Sequence, residues 1–288
     1  MANISAEDVK KLREKTGAGI MECKNALKDS DGDFAKAEKM LKEKGLAALE
    51  KRAGRATNEG KIFVKVRDNG AAGSSAALVE LVSETDFVAR NPDFIALGGA
   101  IADKVLEKDL AEPSVELNTM VSDLAAKIRE NMSLKRIKTV KAGAGEYLTS
   151  YIHGDGAIGV VVKLSADKDD VFKSEEAKVF AFTIALHVAA FNPMALDQKK
   201  IDPLWLKEQE DIFRKQMQLD EKIQDKPANV IENILKGKIS KFLKEICLMD
   251  QGYVKDDKIT VTQALADAGK QAGAKLSIED YVYFKVGG

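Results

Sequence analysis

The sequence predicts an α+β protein with more than one folded unit. Alternating apolar and polar stretches recur in two separate places, and apolar stripes of helical spacing lie between them. The 288 residues suffice for about two domains at ~150 residues each. Hydrophobic residues make up 45% and charged residues 32%, with only 5 Pro, a composition that supports packed cores rather than a disordered chain.

Residues 1 to 55 read as a small all-helical unit. Ser5 is the expected N-cap of the first helix, with Asp8 three residues on as a weaker relative of the capping box. Val9 and Leu12 form its apolar stripe, which stops at Thr16-Gly17-Ala18-Gly19. Ile20, Cys23 and Leu27 mark a second helix, ended by Asp29-Ser30-Asp31-Gly32-Asp33. Phe34, Ala37, Met40 and Leu41 mark a third, with Gly45 expected to break it. Three short amphipathic helices on tight loops make a three-helix bundle. Lys51 to Gly60 is polar and reads as a linker.

Strand signals follow. Ile62, Val64 and Val66 alternate with Phe63, Lys65 and Arg67, Asp68-Asn69-Gly70 marks a bend, and Ala76 to Val82 supplies a more apolar strand. After Asn91-Pro92-Asp93 a helix is expected over Phe94 to Leu106, and another over Val115 to Glu130. The pattern then returns: Glu146 to His153 and Ala157 to Leu164 read as a hairpin, followed by an apolar helix from Val179 to Phe191. Two strand, strand, helix units suggest two related subdomains. From residue 203 to 245, Leu204, Leu206, Ile212, Met217 and Leu219, then Val230 to Leu243, fit two antiparallel helices around a Pro-containing turn at Lys226-Pro227. A helix over Val261 to Ala272 and a strand over Tyr281 to Val286 close the chain.

Composition also excludes. Lys and Arg total 45 against 46 Asp and Glu, a net charge of -1, so nothing pulls the whole chain toward nucleic acid. Two Cys and two His leave no disulfide framework and little material for a metal site. The N-terminal residues carry mixed charge and read as neither a secretory signal nor a transit peptide. The uncharged run Val179 to Leu196 contains His187 and an Asn192-Pro193 break, and reads as a buried helix rather than a membrane span. A soluble, cytoplasmic protein is the expectation.

Catalytic patterns are thin. Gly154-Asp155-Gly156-Ala157-Ile158-Gly159 satisfies G-x-G-x-x-G, but a dinucleotide site needs a strand before it and a helix after it. Here the β-branched run from Ile158 continues as a strand, so a hairpin turn is the preferred reading. Gly237-Lys238 lacks the rest of a phosphate-binding loop. His153 and His187 stand alone, His187 reads as a packed residue, Cys23 reads as a small buried one, and Cys247 gives no better hint. No nucleophile, base and orienter assemble, so covalent catalysis is disfavoured. Glu84-Thr85-Asp86-Phe87-Val88-Ala89-Arg90-Asn91 is the most unusual stretch. In one reading Thr85 or Asp86 caps a helical turn and Phe87 fills the core, which composition alone favours. In the other, Asp86 and Phe87 stand exposed as an acid beside an aromatic wedge for a partner protein.

Two segments decide the class. Leu12 to Leu27 (LREKTGAGIMECKNAL) and Glu80 to Asn91 (ELVSETDFVARN) resemble, in order and spacing, the two signatures of the translation elongation factor Ts family. The resemblance continues through His153-Gly154, Asn192-Pro193, the helical hairpin and Gln251-Gly252-Tyr253-Val254. It implies a ubiquitin-associated-like bundle over 1–55 and a core N-subdomain over 56–140. It further implies a C-subdomain over 141–200 and 247–288, and a coiled-coil hairpin inserted at 201–246. The implied function is guanine-nucleotide exchange on the GTPase elongation factor Tu, without a cofactor, a metal or covalent chemistry of its own. Carried over residue by residue, Lys24 would touch the GTPase domain, Asp86 and Phe87 would enter near its Mg²⁺ site, and Thr85, Val88, Ile128, His153 and Val254 would be further partner contacts. Some members have Pro where Gly252 stands, and some carry a further C-terminal module beyond the last strand. A passive adaptor or holdase is the rival class; a dinucleotide enzyme rests only on the turn at Gly154.

Overall fold

The computed structural model describes residues 4–70, 73–220 and 226–288. Helices α1 (Ala6–Thr16), α2 (Ile20–Asp29) and α3 (Phe34–Glu50) form the bundle around Leu12, Cys23, Leu27 and Ala37. Ser5 caps α1 as expected: its hydroxyl accepts the Asp8 amide at 3.0 Å, and the Asp8 carboxylate accepts the Ser5 amide at 3.3 Å.

The core has two antiparallel sheets packed face to face, each with helices on its outer side. In the first, β1 (Glu59–Asp68), β2 (Ser74–Ser83) and β3 (Met132–Ala142) lie in that order. Helix α4 (Asp86–Ala89), α5 (Pro92–Lys108) and α6 (Val115–Ile128) follow β2. Phe94, Ile101, Leu117 and Ala125 meet Ala77, Val79 and Leu81 on the helix side of this sheet. In the second sheet β4 (Glu146–His153), β5 (Ile158–Ala166) and β8 (Leu276–Lys285) are neighbours. Helices α7 (Glu175–Phe191) and α10 (Val261–Ala272) cover its outer face through Ile184, Val188, Val261 and Leu265. Ile62, Ala76, Leu78, Leu148, Val161 and Phe284 fill the seam between the sheets. β2 is thus covered on both faces, which explains why apolar residues fill both of its faces from Ala76 to Val82, interrupted by Glu80.

Helices α8 (Pro203–Gln218) and α9 (Ala228–Ile246) form the expected antiparallel pair; 221–225 of the connection lie outside the described residues. Trp205 stacks on Phe242 near the base, and Arg214 meets Glu232 at 3.3 Å further out. Two short strands, β6 (Gly252–Tyr253) and β7 (Asp256–Thr260), pair between α9 and α10. Among the described residues no helix is long and apolar enough to cross a membrane.

Several expectations need correction. Gly45 does not break α3, which runs through it to Glu50. A Cβ there would sit 3.1 Å from the Ala126 Cβ, so the glycine lets α3 lie close against α6. The polar linker ends earlier than expected, because Glu59 and Gly60 already belong to β1. β3 was not anticipated. A bulge between Glu80 and Leu81 pairs them with Arg136 and Leu134, leaving Lys135 unmatched and spacing the buried Leu134 and Ile137 by three. A second bulge opposite Lys163 and Leu164 hides the first half of β8 in the same way. The strands β6 and β7 are short and mostly exposed, without an apolar alternation to reveal them.

Candidate functional site

β2 stays buried to Ser83, and the chain then turns out of the sheet through Glu84 and Thr85 into the single turn of α4. Isolated helical turns are unstable because nucleation fixes several residues for one hydrogen bond. This one is fastened from outside. The Thr85 hydroxyl donates to both Glu130 carboxylate oxygens, at 2.9 and 3.0 Å, and the Thr85 amide donates to the same carboxylate at 3.2 Å. The same hydroxyl oxygen accepts the Val88 amide at 3.4 Å, capping α4. Glu84 accepts the Asn131 amide at 2.6 Å and pairs with Arg55 at 3.2 Å. These hold its carboxyl below the usual range, the Asn131 amide foremost. Asn131 in turn donates its side-chain amide to the Arg55 carbonyl at 2.8 Å, tying the linker to the corner.

The corner sorts its residues. Val88 and Ala89 point into the core beneath it. Thr85 spends its polar atoms on Glu130 and Val88. Asp86 is half-exposed and meets Arg90 at 3.2 Å. Phe87 is 81% exposed. Burying a ring of that size normally stabilises by roughly 1.5–3 kcal/mol, a gain the isolated chain does not take. The core-filling reading of Phe87 is therefore replaced by the exposed one.

Beside the corner lies the seat of the bundle. Arg129 caps α6 in a left-handed conformation (φ 68°) and pairs with Glu22 of α2; Lys44 of α3 reaches the same carboxylate at 3.0 Å. Arg129 first, then Lys44 and the Gly19 amide, hold the Glu22 carboxyl down to about 2. Gly17 (φ 67°) is pressed against Lys127, where a Cβ would stand 2.9 Å from the carbonyl oxygen. That loop glycine therefore serves packing within the chain. The outward face of α2 carries Ile20, Met21 and Lys24, all exposed. Ile128 is half-buried at the end of α6, packed on the core of the first sheet.

His153 ends β4, exposed, its Nδ1 3.0 Å from the Tyr151 hydroxyl. The glycines after it are structural. Ile62 donates its amide to the Gly156 carbonyl at 2.7 Å, and a Cβ on Gly159 would lie 2.4 Å from the Ile62 side chain. The motif is a hairpin turn closed onto β1. Buried Lys61 meets the Asp155 carboxylate at 2.6 Å and holds its carboxyl down, with a further contribution from Arg90 beyond α4. The His153 turn and the Phe87 corner thus share one charge neighbourhood. Val254 sits apart, 37% exposed, in the turn between β6 and β7.

Among the described residues no group of three or more His, Cys, Asp or Glu could hold a metal ion. Cys247 is buried, and that burial pushes its thiol up to about 11. His187 is buried as expected, with Nε2 2.9 Å from Gln251 Oε1.

Residues 84–288 match the family model for Elongation factor TS, beginning at the corner itself. An Elongation factor Ts of Treponema denticola is 49% identical over 286 residues, covering 99% of both chains. This chain belongs to the elongation factor Ts family. The Elongation factor Ts of Treponema pallidum (strain Nichols) is 46% identical over 290 residues, and that of Clostridium acetobutylicum 40% over 295, with 99% and 92% of those relatives covered. These matches extend the elongation factor Ts assignment to the bundle, β1 and β2, which precede the family-model match. The chain is a translation elongation factor. Sequence reasoning missed Glu130, Asn131, Arg129 and Glu22, whose partners lie 45, 47 and 107 residues away. No local pattern marks such pairs.

Proposed function

We propose that this protein is a guanine-nucleotide exchange factor for elongation factor Tu. It binds the GTPase and promotes GDP release by disturbing the Mg²⁺ and phosphate site, without covalent chemistry. The observation that carries the reading is Phe87, a large aromatic held in water on a corner fastened by two carboxylates. Asp86 beside it supplies the charge suited to a site built around a cation. Buried aromatic anchors commonly dominate such interfaces. Exchange then follows from linkage: a factor that binds the nucleotide-free GTPase better weakens the nucleotide by the same ratio.

The remaining contacts follow from placement. Lys24, with Ile20 and Met21, presents a face of the bundle to the GTPase domain, Thr85 and Val88 hold the wedge from behind, and Ile128 lies at the end of the helix that seats it. His153 and Val254 anchor the second sheet on another part of the partner. Separate apolar cores in the bundle, beside each sheet and at the hairpin base support a division into 1–55, 56–140, 141–200 with 247–288, and 201–246. The cytoplasm is the proposed site of action. The test is release of fluorescent GDP from loaded elongation factor Tu. Acceleration at substoichiometric protein is expected; a complex without acceleration would make the protein an adaptor instead.

A further inference from the structure

We infer that Glu130 is a positioning residue that sets the Asp86–Phe87 corner, an inference that rests on the exchange reading above. α4 has four residues and cannot hold itself. Its N-cap depends on one oxygen, Thr85 Oγ1, whose lone pair must face the Val88 amide. A hydroxyl rotor has several orientations available. Donation of the Thr85 proton to Glu130 removes that freedom and leaves the lone pair aimed at Val88. Donation of the Thr85 amide to the same carboxylate fixes the backbone at the residue where the chain leaves β2. Both donations are to one carboxylate, a strong acceptor class. Glu130 touches neither Asp86 nor Phe87 through any of these bonds; it acts through Thr85.

The residue before it explains why Glu130 is free for this role. Arg129 adopts the left-handed conformation that ends α6, and its side chain goes to Glu22 in the bundle. Consecutive residues therefore serve opposite neighbours: residue 129 holds the bundle, and residue 130 holds the corner. A helix that simply continued would carry both side chains only ~100° apart around its axis, without this division.

The experiment uses the full chain and the variants Glu130→Ala, Glu130→Gln, Thr85→Ser and Thr85→Val, each also combined with Phe87→Ala. Amide hydrogen exchange at Thr85 and Val88 is read on the free protein, and GDP release from elongation factor Tu is read at saturating and at low factor concentration. Glu130→Ala is expected to speed exchange of both amides by about tenfold or more. It should also lower the saturated release rate by about tenfold, while thermal melting stays near that of the parent. Glu130→Gln should fall between, Thr85→Ser should retain function, and Thr85→Val should behave like Glu130→Ala. In the Phe87→Ala background the Glu130 variants should add no further loss. Unchanged protection of Thr85 and Val88 in Glu130→Ala would overturn the inference, as would losses that multiply with Phe87→Ala. Failure of the parent protein to speed GDP release would instead sink the exchange reading, while the amide measurement, made without a partner, would still decide whether Glu130 holds the corner.

Discussion

Arg129 at the end of α6 pairs with Glu22 of α2, and through that contact the bundle is seated on the core rather than tethered by its linker. Lys42 meets Asp123 at 2.8 Å along the same seam, where Gly17 and Gly45 allow close approach. Glu22→Gln should loosen the seat, seen as faster proteolysis in the segment 51–58. The depressed carboxyl gives the sign of the pH effect. Its stabilisation is full above the ordinary glutamate value of 4.5 and is lost as pH falls toward about 2. Protease sensitivity of the linker that stayed flat in Glu22→Gln would remove this role.

Gly17 should tolerate no side chain. With φ at 67° and the Lys127 carbonyl in the way, Gly17→Ala is expected to cost more than about 1 kcal/mol. Denaturant unfolding measures it, and a neutral result would show that the bundle can shift off α6 without penalty.

Phe87→Ala separates interface from core. A core phenylalanine costs about 3–5 kcal/mol on truncation. At 81% exposure Phe87 should instead leave thermal melting nearly unchanged while slowing GDP release by over an order of magnitude. Coincident loss of stability and activity would return the ring to a structural role.

His153→Ala should weaken complex formation without lowering the release rate at saturation, because the residue is exposed at the end of β4 and is proposed to anchor the second sheet on another part of the partner. Titration of the factor reads the two effects apart. A defect that persisted at saturating concentration would contradict the anchoring role.

His187 predicts a second pH dependence. Burial depresses its basicity, and among the described residues its Nδ1 has no hydrogen-bond partner, so the neutral ring is the folded form. The unfolded chain takes up a proton near the ordinary 6.5 that the folded chain refuses. Stability is therefore retained above that value and falls as pH drops below it. Urea unfolding from pH 7.5 to 5 should show the decline. His187→Phe should lose this component, at the cost of leaving Gln251 Oε1 without its donor.

The sequence by itself determined the class and most of the elements, and it singled out Asp86 and Phe87 as the stretch to examine. Period-two alternation exposed β1, helical stripes exposed α5 and α10, and the Ser5 cap placed the start of α1. These are local signals, set by backbone periodicity and by hydrogen bonds a few residues long. β3 and the first half of β8 escaped for a local reason as well: a bulge shifts the alternation, so that in β3 Leu134 and Ile137 fall out of step. What only the tertiary structure decided depends on residues distant in the chain. Gly45 reads as a helix breaker until Ala126 is beside it, and the hairpin turn expected over 154–159 gives no sign that it closes onto Ile62 of β1. Composition alone sends Phe87 to the core, since an aromatic's transfer energy favours burial wherever space exists. Here Val88 and Ala89 occupy that space, and Glu130, 45 residues from Thr85, fastens the turn on which Phe87 stands in water.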